Sequence, residues 1–157
     1  MEMSDYPSWR WGLSLIALPT AIHATAVVMM AFVLVRFRAQ LETRSLNSRN
    51  LIATLICTIV VIGLLLAALH GIESGIWAAA YLWLGALDSP IDALLYSVDS
   101  MSTRGASGLT LEQHWRMMGA LEAVNGMLLF GVSAAYIFAV MQAFWSMLEA
   151  HLASSKS

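Results

Sequence analysis

Charge is scarce in this sequence. Charged residues make up 11% of the chain and hydrophobic ones 59%, whereas an average soluble domain is roughly 25% charged; water is therefore not expected to be its main solvent. A formal net charge of −2 leaves no broad basic surface of the kind that nucleic-acid binding relies on. The single cysteine, Cys57, lies in an apolar run. It excludes an intrachain disulfide, says nothing of redox compartment, and is expected to be a small buried hydrophobe. Also missing are a catalytic triad, a phosphate-binding glycine loop and a dinucleotide fingerprint, so neither enzymatic activity nor a small-molecule substrate is expected. The Lys/Arg-rich start of a signal peptide is lacking too: Met1 to Arg10 carries Glu2, Asp5 and one arginine, and the first apolar run is expected to be retained.

What is present is long apolar runs. Trp11 to Val35 and Leu51 to Leu69 contain no Asp, Glu, Lys or Arg, and each is long enough to cross a bilayer, which takes about 20 residues. The first run carries Pro19 as an expected kink, tolerable in lipid beside neighbouring helices. The connection that follows holds Arg36, Arg38, Arg44 and Arg49 against Glu42, which by the positive-inside rule makes it a cytoplasmic basic loop and places the N-terminus outside. Residues 1–50 thus form an N-terminal transmembrane helix (11–35) and its loop.

Beyond the second run (51–70), His70, Gly71 and Glu73 mark a polar end. Residues 76–87, with Trp77, Tyr81 and Trp83, are too few to span; they read as an interfacial helix or an outward extension of the second span. Ser89-Pro90 reads as a helix start, Ser89 capping and Pro90 at the first helical position. A short helix over 90–102 breaks at the loop 103–108. A long apolar helix (111–148) then crosses inward, leaving residues 149–157 as a short cytoplasmic tail. A short helix and loop between two spans, returning to the same side, suits a pore lining, because irregular backbone at membrane depth survives only when buried in protein or facing water.

The run Tyr96-Ser97-Val98-Asp99-Ser100-Met101-Ser102-Thr103-Arg104-Gly105-Ala106-Ser107-Gly108 resembles the pore helix and selectivity filter of the potassium-channel superfamily. That pattern is aromatic, Ser-Val, variable, Thr, variable, Thr-Thr, Val-Gly-Tyr-Gly-Asp. Ser97, Val98, Thr103 and Gly105 match it, and Ser100 and Ser102 replace threonines. Met118 to Leu128 is similar to the start of the inner helix of bacterial two-span channels, with Gly126 at the gating-hinge position and Glu122 matching a common glutamate. The resemblance covers 51–148 and implies a tetramer of pore modules around filter loops made of Thr103, Arg104, Gly105, Ala106, Ser107 and Gly108.

The filter departs from the pattern at Arg104, Ala106, Ser107 and Gly108, which stand for Val, Tyr, Gly and Asp. Alanine and serine lack the aromatic cuff, and a Cβ at Ser107 penalises the left-handed conformation; filter carbonyls strip potassium only in a strictly repeated geometry, so reduced selectivity is expected. At about 1.5 Å per helical residue Asp99 stands about 6 Å above Thr103, and one extended step lifts Arg104 about 3 Å. A long arginine closes that gap, and the resemblance implies that the side chain at position 104 points behind the filter and that position 99 carries a carboxylate in some members, so an Asp99–Arg104 ion pair bracing the filter from behind is expected. The competing arrangement, four guanidiniums facing the axis and repelling cations, is less favoured because an unpaired buried charge is expensive.

Among the remaining polar residues, Glu122 is expected to face a neighbour's pore helix, and Asn125 to line the central cavity or hydrogen-bond another helix. His23 reads as a lone histidine bonded to a neighbouring helix, since metal ligands come in clusters. His70 and Glu73 share a helix face at i, i+3, but with His114 far along the sequence they make too sparse a set, and no metal site is expected. The methionines and Phe130, Phe138 and Phe144 read as packing residues.

The sequence therefore predicts an all-α membrane protein: three transmembrane helices plus a re-entrant pore helix and filter loop, assembled as a homotetramer in the lipid bilayer of a bacterial inner membrane. The expected function is passage of a monovalent cation, potassium or sodium, with no cofactor. The alternative is a non-conducting scaffold or regulatory subunit that keeps the pore-module fold.

Overall fold

The computed structural model describes residues 6–43, 48–105 and 108–154. Among them the chain is helical with no strand: α1 Tyr6–Glu42, α2 Ser48–Trp83, α3 Pro90–Met101 and α4 Arg116–Ser154, the last entered through a 3-10 turn at Gln113–Trp115. Three stretches, Ser8–Leu41, Arg49–Trp83 and Gln113–Glu149, are long and apolar enough to cross a membrane. This is the architecture of an integral membrane protein, in which helices satisfy their own backbone where no water can. The few hydroxyls follow the same rule: Ser14, Thr54 and Thr58 each donate to the carbonyl four residues earlier, at 2.8–2.9 Å.

Two boundaries differ from the sequence reading and one alternative is decided. Of the two arrangements expected for 76–87, the structure takes the outward extension of the second span rather than a separate interfacial helix, since α2 continues unbroken to Trp83. It then closes in a Schellman turn: Gly85 is left-handed (φ 69), its N–H bonds to the Leu82 carbonyl, and the Ala86 N–H bonds to that of Tyr81 at 2.8 Å. Glycine at that position carries no Cβ penalty. Likewise α4 runs on to Ser154 rather than ending near Leu148, and α1 runs on either side of 11–35, through Pro19 and as far as Glu42.

The long helices contribute to two compact units, Met1–Ala24 with Ala68–Gly131 and Thr25–Ala67 with Val132–Ser157. In the second, Leu41, Leu51, Ile62, Leu66, Val140 and Phe144 are buried together. In the first, Trp77, Tyr81, Ala93, Tyr96, Met118 and Leu129 form the core, with Tyr81 and Tyr96 in an edge-to-face contact at 5.3 Å. Large apolar side chains such as Val28, Leu64 and Phe130 stay outside, as a lipid-facing surface requires and a water-facing one would not tolerate in such number. Cys57 is among the exposed residues, contrary to the expectation of burial: it lines an open apolar groove between α1 and α2 with Met30 and Val33. Phe144 packs inside, whereas Phe130 and Phe138 are exposed.

Candidate functional site

The first unit holds the short helix α3 and the loop that follows it. Ser89 is extended (φ −102, ψ 127) and its hydroxyl accepts the Asp92 N–H at 3.3 Å, while Pro90 takes the first helical position. Proline costs nothing there because that N–H has no intrahelical partner. At the other end the chain closes as α2 does. The Thr103 N–H bonds to the Ser100 carbonyl and the Arg104 N–H to that of Asp99, each at 3.0 Å, with Thr103 left-handed at φ 58. Here, however, the left-handed residue is β-branched, a conformation that costs an L-residue about 1–2 kcal/mol and is usually filled by glycine. Gly105 (φ 78) and Gly108 (φ 81) also have positive φ. Ala106 and Ser107 lie outside the described residues.

This turn brings Asp99 and Arg104 together. Arg104 Nε stands 3.3 Å from Asp99 Oδ1, with the arginine side chain 68% exposed and the carboxylate 3%. The Asp99 carbonyl also accepts from the Ser102 hydroxyl at 3.1 Å, and the guanidinium lies at the C-terminus of α3, where a cation complements the helix dipole.

A second polar knot ties α3 to its neighbours. Glu122 of α4 is fully buried; Tyr81 of α2 donates to its Oε2 at 2.7 Å, and the Ser97 hydroxyl of α3 donates to its Oε1. Ser97 Oγ is also 2.8 Å from the Ser74 carbonyl, and Ser74 in turn donates to Met101 Sδ at 3.2 Å. Glu122 thus contacts α3 of its own chain, rather than only a neighbour's as the sequence reading expected. Burial raises the Tyr96 phenol above its ordinary pKa, a hydrogen bond with Ser100 opposing the shift. Asn125, fully buried, accepts from Thr20 Oγ1 of α1 at 3.1 Å, the helix-to-helix bond of the two alternatives weighed for it; its Nδ2 has no hydrogen-bond partner among the described residues. One turn from Glu122, Gly126 touches the backbone of Met101, so closely that a Cβ would collide with the Met101 carbonyl oxygen.

The structure also gathers what the sequence left scattered. His23 Nδ1 lies 2.9 Å from Glu73 Oε1 and His70 Nδ1 3.2 Å from Oε2, with the two imidazole rings 5.2 Å apart. His114 is elsewhere, 3.5 Å from Glu112. A signal for the trio existed: His23 and the His70–Glu73 turn are at comparable distances from the α1–α2 connection, as partners in an antiparallel hairpin are. Comparison of the chain with protein-family models, with curated proteins and with solved structures finds no match.

Proposed function

We propose that the protein is an ion-channel subunit that passes monovalent cations, with reduced selectivity, through a pore made by four copies. The observation that carries the reading is the contact between Met101 and Gly126. α3 ends, and the irregular loop begins, against a point ten residues into α4, which is about 15 Å along the helix at 1.5 Å per residue. A glycine-bearing loop that starts beside the interior of a membrane-crossing helix needs protein or water around it, and a pore provides both.

Three features support the same reading. The buried Glu122–Ser97–Tyr81 knot fixes α3 to both flanking helices, and the Asp99–Arg104 pair holds the first filter residues back on α3. Ile91, Leu94, Leu95 and Val98 form an exposed apolar stripe along α3, spaced at i, i+3, i+4 and i+7. A neighbouring subunit would cover it in a tetramer. The second reading, a non-conducting scaffold or regulatory subunit with the same fold, is favoured by the filter substitutions at Arg104, Ala106 and Ser107.

Flux through purified protein in liposomes separates the two, with potassium, sodium and chloride gradients compared and Arg104→Val in parallel. Cation flux from the natural sequence supports the channel. Silence from the natural sequence, whether or not the variant conducts, supports the scaffold, as does a monomer or dimer where four chains are required.

A further inference from the structure

We propose that His23, His70 and Glu73 form a binding site for a divalent transition metal of the zinc class, which clamps the first transmembrane helix onto the second. The proposal rests on the geometry of this trio and is independent of whether the chain conducts ions.

One ligand atom from each of the three residues lies within 4.8 Å of the others. Around a tetrahedral zinc with bonds of about 2.1 Å, donors stand about 3.4 Å apart, so the 2.9 and 3.2 Å separations from imidazole to carboxylate need to open by only a few tenths of an ångström. His23 and Glu73 are buried, with side chains 1% and 0% exposed, whereas His70 is 27% exposed; that side gives an ion its entry and leaves room for a fourth ligand such as water.

The charge balance points the same way. Glu73 is a fully buried carboxylate set between apolar helices, a placement that is expensive unless the charge is matched. The groups against it are the two imidazoles, which are neutral unless protonated. Its Oε2 is buried and, although His70 Nδ1 stands 3.2 Å away, makes no hydrogen bond among the described residues. A divalent ion satisfies this oxygen and the charge together. Two imidazoles and one carboxylate favour zinc, cobalt, nickel or copper over magnesium and calcium, which prefer all-oxygen sites.

Cobalt serves as the probe, because a tetrahedral cobalt site is coloured and zinc displaces it. The tag-free full-length protein in detergent is titrated with cobalt and then with zinc, alongside His70→Ala, His23→Ala and, as controls, His114→Ala and Cys57→Ser. The expected result is one saturable equivalent per chain with tetrahedral visible bands bleached by zinc. Affinity should weaken about tenfold or more in the two site variants and stay unchanged in the controls. Absence of a saturable cobalt spectrum in the natural protein overturns the proposal without recourse to any variant. So does an unchanged spectrum in His70→Ala, whose partly exposed position keeps that variant folded should His23→Ala fail to be. A trio that serves only as a hydrogen-bonded clamp would give the first of these results.

Discussion

Replacing Gly126 with alanine puts a methyl group where the Met101 backbone already stands. An ideal Cβ at this position lies 2.7 Å from the Met101 Cα and 2.8 Å from its carbonyl carbon, and closer still to the carbonyl oxygen. Ordinary contacts begin at 3.4 Å, so clearing the carbonyl oxygen, the nearest atom, requires α3 to retreat from α4 by roughly 1 Å or α4 to bend. Neither neighbour is a flexible side-chain tip, and forcing extra volume into such a contact typically costs about 1–3 kcal/mol. The same helix offers a control: nothing stands within 4 Å of a Cβ at Gly131, where alanine should be neutral or stabilising by up to about 1 kcal/mol through helix propensity. Reversible SDS titration of the protein in mixed micelles, followed by circular dichroism, measures both. A Gly126→Ala variant as stable as the natural protein would refute the packing of α3 against the interior of α4. With it would go the argument that the loop begins at membrane depth.

Three further outcomes follow from the same unit. Thr103→Gly should stabilise the fold by about 1 kcal/mol in that titration, since it relieves a β-branched residue of a left-handed conformation; a loss of stability would show that the Thr103 side chain matters more than its backbone. Glu122→Leu should destabilise by about 2 kcal/mol by leaving the buried Tyr81 hydroxyl without its acceptor, while Ser97 retains the Ser74 carbonyl, with Glu122→Gln clearly milder; equal losses in the two variants would refute the hydrogen-bonded account. Reversing Arg104 should cost only about 1 kcal/mol because its side chain is mostly exposed, reversing the buried Asp99 should cost more, and exchanging both charges should recover assembly measured by native mass spectrometry. A double exchange no better than either single one would count against the brace.

Much of this architecture is legible in the sequence because membrane solvation writes itself into composition. The absence of charge from 11–35 and 51–69 marks two helices, and Ser89-Pro90 marks the start of α3 by chemistry local to the turn. The Asp99–Arg104 contact could be anticipated from helical rise together with the resemblance to a pore-loop pattern, since both residues belong to one helix end. What escaped reading involved a choice that local chemistry does not make. Trp77, Tyr81 and Trp83 suit a boundary helix and a helix extension equally, and only packing against Tyr96 and Glu122 selects the extension. A left-handed threonine is invisible because the rule for that position names glycine. The His23–Glu73–His70 cluster joins residues 50 positions apart on two helices that are each unremarkable alone, and it emerges only once the hairpin register is known.

The central claim, that the loop beginning at Thr103 lines a conducting pore, is tested most directly by planar-bilayer recording of Thr103→Cys in a Cys57→Ser background. A charged thiol reagent is added during the recording. The account predicts cation current that the reagent blocks, with the Cys57→Ser parent unaffected. No current, or current indifferent to the reagent, would contradict it.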